Sequence, residues 1–203
     1  MPRAFIIRPF GTRTDKGGQE INFEQISAIL IEPALKAAGL GGGTTGEIIE
    51  AGNIREDMFG LIPTADLVLC DITIHNANVF YELGIRHALR KRRSVLIRGA
   101  PSDDNVPFDI LTDRFLEYQL GEPEKALEKL TKTLIATLAS EKTDSPVFKM
   151  LPTLSEVDPD LIRVLPSGFA EEVERAKAGQ AAGWLRLLSQ EVETPTFNGR
   201  LCA

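Results

Sequence analysis

The stretch from Asp66 to Gly84 reads Asp-Leu-Val-Leu-Cys-Asp-Ile-Thr-Ile-His-Asn-Ala-Asn-Val-Phe-Tyr-Glu-Leu-Gly. An apolar run ends at Asp71, a short polar loop follows, and a helix begins at about Asn78. A buried strand that leads into a helix is typical of a parallel α/β sheet, in which strand carboxyl ends and helix amino termini share one edge. The stretch therefore predicts two carboxylates, Asp71 and Glu82, and two asparagines at the edge where such sheets bind ligands.

Strands and helices alternate on both sides of this stretch. Short apolar strands are predicted at residues 4–8, 67–71, 95–98 and 115–118, and helices over 23–38, 53–61, 78–90 and 123–138. A polar loop is predicted over 12–19, Pro33 should kink or reset the first helix, and Gly39 should end it. The glycine tract at 41–46 is not a P-loop and is interpreted as a flexible connector before a weak strand at 47–49. The alternation predicts an α/β fold, a flavodoxin-like or Rossmann-like three-layer sandwich with a mainly parallel sheet.

The length of 203 residues suits one domain with an appendage. The α/β pattern covers residues 1–140. A segment rich in proline and acidic residues, over 141–167, is interpreted as a linker packed across the domain. Residues 168–203 then predict a short carboxyl-terminal helical segment, a hairpin that could begin a helical repeat domain.

Composition narrows the class of protein. Hydrophobic residues make up 43% of the chain and charged residues 26%, as in an ordinary globular protein. The net charge of −6 argues against a nucleic-acid partner, and the basic run at 90–93 is interpreted as the end of a helix. We find no apolar run of the ~20 residues that a membrane span needs, no metal-binding spacing, and only two cysteines. We therefore expect a cytoplasmic protein with no metal and no membrane partner.

Three segments should meet at the carboxyl edge of the sheet: residues 8–11, the start of the helix near Asn53, and residues 71–82. Arg8 could pair with a phosphate or carboxylate, and Gly11 would let the backbone approach a ligand. An aromatic ring of this edge could stack on a base, and an asparagine could bind sugar hydroxyls or cap the helix. The predicted substrate-binding residues are Arg8, Pro9, Phe10, Gly11, Asp71, Asn76, Asn78 and Tyr81.

Glu82 is the predicted catalytic residue, because a glycosidic bond breaks through an oxocarbenium-like state that a carboxylate stabilises or traps. An alternative is structural. Glu82 and Arg86 are four residues apart and could be an ordinary ion pair on a helix surface. Asp71 could likewise be a turn-former or an N-cap at the end of its strand. His87 lies on the apolar face of the same helix and is interpreted as a packed core residue.

Residues 65–89, from Ala-Asp-Leu-Val-Leu-Cys-Asp-Ile-Thr to Asn-Val-Phe-Tyr-Glu-Leu-Gly-Ile-Arg-His-Ala-Leu, resemble the signature of the nucleoside 2-deoxyribosyltransferase-like and TIR-like superfamily. Phe5-Ile-Ile-Arg-Pro-Phe-Gly, Ile31-Glu-Pro-Ala-Leu, Gly52-Asn-Ile-Arg-Glu-Asp-Met and Val95-Leu-Ile-Arg fit the same group. The similarity covers about residues 3–140. The arrangement resembles bacterial immune or stress effectors in which a domain of this kind precedes a tetratricopeptide-like "TRAFs-binding" region.

The resemblance implies roles for particular positions. In the deoxyribosyltransferases the residue matching Glu82 is the nucleophile, and in catalytic TIR domains a comparable glutamate supports cleavage of the nicotinamide–ribose bond of NAD. The deoxyribosyltransferases often carry an aspartate at the position of Asn76, and the motif usually has proline where this chain has Ala77. The asparagine therefore weakens the deoxyribosyl-transfer hypothesis, and the alanine bears more on loop stiffness than on chemistry.

Two hypotheses from different classes follow. The first is an N-glycosidase that uses Glu82 to cleave the base–ribose bond of a nucleotide, with NAD as substrate and no separate cofactor. The second is a non-catalytic module that senses a nucleotide or recruits a protein partner through its helical region. Nucleoside 2-deoxyribosyl transfer is a third, less favoured hypothesis. The resemblance also implies a homo-oligomer, since TIR-like sites are often completed by a neighbouring subunit.

Overall fold

The computed structural model describes residues 1–43, 60–111 and 113–158. All of them belong to the first of two compact units, which spans Met1–Val164. The predicted strand at 47–49, the helix start near Asn53 and the helical hairpin at 168–203 lie outside the described residues, so these stay predictions.

Five parallel strands form the central sheet. In chain order the strands are β1 (Arg3–Ile7), β2 (Thr12–Thr14), β3 (Glu20–Asn22), β4 (Gly41–Gly43), β5 (Leu67–Asp71), β6 (Ser94–Ala100) and β7 (Phe115–Gln119). The sheet has the order β4-β1-β5-β6-β7, and each neighbouring pair in it is parallel. Counting only these five strands, the order is 2-1-3-4-5, which is the flavodoxin-like arrangement. The predicted fold class is confirmed.

Helices cover both faces of the sheet. Helix α1 is continuous through an α-helical part (Phe23–Ile26), a π-helical part (Ser27–Ile31) and a second α-helical part (Glu32–Ala37), and a helix ends at 60–64. Helix α2 spans Ala77–Leu89, and a single 3₁₀ turn follows β6 at Phe108–Ile110. A 3₁₀ turn at Pro123–Ala126 leads into α3 (Leu127–Ala139), and α4 spans Pro146–Met150.

The alternation of side chains along each strand divides the core into two layers. Ala4 and Ile6 of β1 pack with residues of α1 and α3, whereas Phe5 and Ile7 face the opposite layer, which includes α2. The same two-residue period runs through β5, whose five residues are all buried. A strand buried on both faces explains the uninterrupted apolar run that precedes Asp71.

Helix α1 changes its winding just before Pro33. The backbone N–H of Glu32 donates to the carbonyl of Ser27, which is the spacing of a π turn. Since proline cannot donate a backbone hydrogen bond, the wider turn accommodates it without ending the helix. The predicted resetting of the helix therefore takes the form of a π turn, and Gly39, with a φ of 72°, follows the helix end as expected.

Two sequence predictions are wrong in this part of the chain. The glycine tract contains strand β4, whose Gly42 lies so close to the backbone of Ala4 that a Cβ atom would clash with it. Only glycine allows the backbones of β4 and β1 to approach this closely, so the low strand propensity of glycine does not prevent the two strands from pairing. The predicted polar loop at 12–19 is a β-hairpin of β2 and β3, which buries Ile21 in the core.

Residues 141–157 form an ordered strap along the amino-terminal edge of the sheet. The Ser145 hydroxyl donates to the carbonyl of His87 at 2.7 Å, and the Asp144 carboxylate accepts the N–H of Arg93 at 2.6 Å. The Glu156 carboxylate accepts the N–H of Lys91, also at 2.6 Å. These residues are the described part of the predicted linker, and they contain a helix, α4, that the sequence pattern did not predict.

Candidate functional site

Two predicted groups of residues meet at the carboxyl edge of the sheet. The pairing of Ile7 with Cys70 puts Arg8 and Asp71 next to each other where β1 and β5 end. The chain leaves β1 through α1 towards β4 on one side, whereas β5 lies on the other side. This reversal is the topological switch point, and open α/β sheets bind ligands in the crevice outside it. Residues 8–11 and 71–82 flank that crevice.

Glu82 lies in the second turn of α2, close to the end of β5. Its charge acts on the thiol of Cys70, whose pKa is raised by burial first and then by Asp71 and Glu82. The Glu82 side chain is itself half-buried, and this burial raises its pKa to about 7. Within the described residues, no hydrogen bond or opposite charge offsets that effect. Glu82 is therefore a carboxylate poised between its two protonation states near neutral pH.

Arg86 does not pair with Glu82. Its guanidinium is fully buried and donates to the backbone carbonyls of Ile62 at 2.8 Å, Ala65 at 3.0 Å and Arg92 at 2.9 Å. It thus joins the end of the helix at 60–64 to the loop before β6. The alternative interpretation of Glu82 as half of a surface ion pair is wrong, because its partner is committed to the interior.

Asp71 sits at the centre of a buried hydrogen-bond network. One carboxylate oxygen accepts the Thr73 N–H at 2.9 Å and the Thr73 hydroxyl at 2.5 Å, and the other accepts the Tyr118 hydroxyl at 2.8 Å. Burial raises the pKa of Asp71, while these hydrogen bonds and the charge of Arg8 act in the opposite direction. Asp71 has 0% of its surface exposed, so its carboxylate stabilises this edge of the sheet and is inaccessible to a ligand.

Arg8 is also engaged within the protein. Its two terminal nitrogens donate to the two carboxylate oxygens of Glu24 in α1, at 3.0 and 2.5 Å. The same carboxylate accepts the N–H of Gly11 at 3.0 Å and so fixes the loop that leaves β1. The guanidinium of Arg8 lies 5.4 Å from the ring centre of Phe10. Arg8 is thus held in a bidentate pair, and a phosphate would have to compete with Glu24 for it.

The remaining predicted residues lie in the loop that leaves β1 and at the start of α2. Asn76 caps α2, since its side-chain oxygen accepts the N–H of Asn78 at 3.0 Å and that of Val79 at 3.3 Å. Among the described residues, no hydrogen-bond acceptor contacts its amide nitrogen. The rings of Phe10 and Tyr81 are 43% and 56% exposed, which suits residues that stack on a base. Asn78 is exposed in the first turn of α2, and Pro9 is buried behind the loop.

The loop after β6 connects the elements of this edge through hydrogen bonds that no sequence pattern predicts. The Asp104 carboxylate accepts the N–H of His75 at 2.9 Å, and the Asp15 carboxylate of the β2–β3 hairpin accepts the N–H of Asp103 at 3.1 Å. The alternative interpretation of Asp71 as a turn-former at the strand end agrees with its hydrogen bond to the N–H of Thr73, which has the spacing of an Asx turn. The contact between Asp71 and Tyr118 could not be recognised from the sequence, because 47 residues separate them.

His87 is buried, as predicted. Burial, followed by the charges of Arg86 and Lys149, lowers its pKa to about 4. It lies in the last turn of α2, at the opposite edge of the sheet from the crevice. In the described part of the chain, no group of three His, Cys, Asp or Glu side chains is arranged to hold a metal ion.

Comparison with known proteins adds no assignment. A scan against protein-family models found no match to this sequence, and a search of curated proteins found no significant match either. Among the helices in residues 1–43, 60–111 and 113–158, none is both long and apolar enough to cross a bilayer. Any functional conclusion therefore depends on the residues of the crevice.

Proposed function

We propose that this chain is an N-glycosidase of the nucleoside 2-deoxyribosyltransferase-like and TIR-like superfamily, and that it cleaves the base–ribose bond of a nucleotide, with NAD as substrate. The observation that carries the proposal is Glu82, a half-buried carboxylate whose pKa is raised to about 7 beside the switch point of the sheet. Perturbed carboxylates in such crevices are typical of catalytic sites.

The proposed reaction uses the ionised form of Glu82. The bond between C1′ of the ribose and the pyridinium nitrogen breaks, and its electron pair goes to the ring, so that nicotinamide leaves as a neutral molecule. The carboxylate stabilises the positive charge that develops at C1′, or forms an ester with it. Water then adds at C1′, displaces the carboxylate where an ester has formed, and loses a proton to the solvent, which gives ADP-ribose.

In the proposed complex, two aromatic residues and one amide of this edge bind the substrate. Phe10 or Tyr81 would stack on the base, and the amide nitrogen of Asn76 would donate to a ribose hydroxyl. Leaving nicotinamide needs no proton, whereas a neutral purine or pyrimidine leaves more readily when it is protonated. The ionisation state of Glu82 should therefore influence which class of base is released.

A specific observation favours a second candidate, a non-catalytic nucleotide-sensing or protein-interaction module. Arg8 is paired with Glu24, and Asp71 is saturated by Thr73 and Tyr118. Two of the predicted substrate-binding groups are thus satisfied without a ligand. A pocket that binds a nucleotide and releases no product would fit this second candidate.

The test is to incubate the purified chain, at a concentration that allows self-association, with NAD and a panel of ribonucleosides, deoxynucleosides and nucleotides. Free bases are then separated by chromatography. We expect nicotinamide release that falls by about 10³-fold or more in Glu82→Gln. Glu128→Gln is the matched control, because Glu128 is an exposed glutamate of α3 with its own ion pair. Equal rates in the wild type and Glu82→Gln would refute the catalytic role, and binding without product would favour the second candidate.

A further inference from the structure

We infer that Tyr118, on the edge strand β7, is a positioning residue for Glu82, acting through Asp71 and Thr73 on the loop that leads into α2. The kinetic part of this inference depends on the proposed function, whereas the structural part does not. Its basis is the buried network at the carboxyl ends of β5, β6 and β7, together with the short path from that network to α2.

Thr73 joins the ends of three strands. Its hydroxyl donates to Asp71 of β5 at 2.5 Å and accepts the N–H of Gly99 in β6 at 2.7 Å. Its carbonyl accepts the hydroxyl of Ser102 at 3.1 Å. Tyr118 completes the arrangement from β7 by donating to Asp71 at 2.8 Å. Asp71, Thr73 and Tyr118 are all buried, so water cannot readily replace a missing partner.

The protons in this network are fully assigned when Asp71 is ionised. The single hydroxyl protons of Thr73 and Tyr118 both go to Asp71, and the 3.2 Å contact between these two hydroxyl oxygens needs no proton of its own. Asp71 thus receives three donors, counting the N–H of Thr73. Removing the Tyr118 hydroxyl would leave one oxygen of a buried carboxylate without a donor, and the network would have to rearrange or take up a proton.

The loop transmits such a change to Glu82 over a few residues. Ile72 and Ile74 on either side of Thr73 are buried, and the N–H of His75 is held by Asp104. Asn76 follows as the cap of α2. Each residue from 71 to 76 is fixed by packing or hydrogen bonding, so a shift at Thr73 moves the start of α2. Glu82 lies in the second turn of that helix and moves with it. The half-buried position of Glu82 thus depends on a hydroxyl contributed by a distant strand.

The test follows the protonation of Glu82 itself. Chain labelled with ¹³C at the glutamate carboxyl is titrated by NMR, and the Glu82 signal is assigned by its loss in Glu82→Gln. The variants are Tyr118→Phe, which keeps the ring, Thr73→Val, which removes the hydroxyl, and Thr73→Ser, which restores it. Thr131→Val is the matched control, because the Thr131 hydroxyl donates within α3, to the carbonyl of Leu127.

We expect the Glu82 titration in Tyr118→Phe and Thr73→Val to move from about 7 towards its ordinary value of 4.5, since displacement exposes a carboxylate whose shift is caused by burial. Thr73→Ser and Thr131→Val should titrate as the wild type does. In base-release assays, kcat of Tyr118→Phe should fall by about 10- to 100-fold while KM stays unchanged.

An unchanged Glu82 titration in a folded Tyr118→Phe chain would overturn the inference. If Tyr118→Phe fails to fold, the contrast between Thr73→Val and Thr73→Ser decides in its place, and identical titration in these two variants would overturn the inference. If the titration moves but even the wild type releases no base, the positioning of Glu82 stands and the proposed function fails. The two conclusions can therefore be separated.

Discussion

Glu82 and Arg86 lie one turn apart on α2, yet the surroundings of their two charges are opposite in kind. Arg86 is fully buried, and its guanidinium donates to four backbone carbonyls, those of Ile62, Ala65, Arg92 and Arg93. Glu82 is half-buried, and burial alone raises its pKa, to about 7. The hydrogen bonds of Arg86 stabilise the fold, whereas the burial of Glu82 makes its negative charge unfavourable at the edge of the crevice. Proteins tolerate such a charge where chemistry uses it.

A second pair with the same spacing sharpens this contrast. Glu128 and Lys132 of α3 are also four residues apart, and they form an exposed ion pair at 2.5 Å. The sequence offers the same Glu-x-x-x-cation pattern in both helices. The surroundings of the two cations differ. Arg86 donates to backbone carbonyls in the interior, whereas Lys132 is exposed to solvent and pairs with Glu128. Spacing on a helix therefore shows which side chains can meet, and packing decides whether they do.

The largest effect on stability should come from Arg86→Met. The substitution keeps an apolar chain of similar length but leaves buried carbonyl oxygens without donors. We expect a loss of about 3–5 kcal/mol in the free energy of unfolding, measured by urea denaturation. Arg13→Met, at an exposed position in β2, is the control and should unfold as the wild type does. A loss of less than about 1 kcal/mol for Arg86→Met would show that water or other donors replace the guanidinium.

A smaller effect of opposite sign is expected from Glu82→Gln. The pKa of Glu82 is about 7 in the folded chain and near 4.5 in the unfolded chain, so ionisation of Glu82 disfavours folding. The protonated form of Glu82 favours folding. This favourable contribution to the free energy of unfolding is fully present below pH 4.5 and is lost as the pH rises through about 7. Glu82→Gln should therefore melt at a higher temperature than the wild type at pH 8, and the advantage should shrink at lower pH. Equal melting temperatures at pH 8 would mean that Glu82 has a stabilising partner.

These two residues also show how far the sequence could lead. The run ending at Asp71 predicted strand β5 with its bounds, and helical spacing predicted α2 to within one residue at each end. The burial of His87 on α2 was predicted, whereas the burial of Arg86 was not. Charged residues are mostly exposed, and hydrophobic patterns carry no information on distant carbonyl acceptors.

Other elements of the fold depend on long-range contacts in the same way. The strand β4 consists of three glycines and exists because β1 offers an edge to pair with. Residues 141–157 have the composition of a linker. They are held because their own carboxylates accept N–H groups of the loop before β6, and because their N–H groups donate to the carbonyl of Lys91 in that loop. At the candidate site, the positions of residues 8–11 and 71–82 followed from the parallel sheet. Arg8 pairs with Glu24, and Asp71 accepts a hydrogen bond from Tyr118. Both partners lie in other elements of the fold, so no local sequence pattern predicts these contacts.

The smallest effect should come from Glu128→Gln. Both members of the Glu128–Lys132 pair are largely exposed, so solvent and salt screen their attraction. We expect no measurable change in melting temperature at physiological ionic strength, and only a slight decrease at low salt. A large decrease would indicate that α3 depends on this pair, and the contrast between the two helices would then lose its basis.

The most direct test of the central claim is the pH dependence of kcat/KM for nicotinamide release from NAD. The ionised form of Glu82 is the active one in the proposed reaction, so the wild-type rate should rise with pH through about 7 and then level off. Glu82→Gln should show only a small residual rate without that rise. A profile in the wild type that is flat across this range, or one that Glu82→Gln reproduces, would contradict the assignment of Glu82 as the catalytic carboxylate.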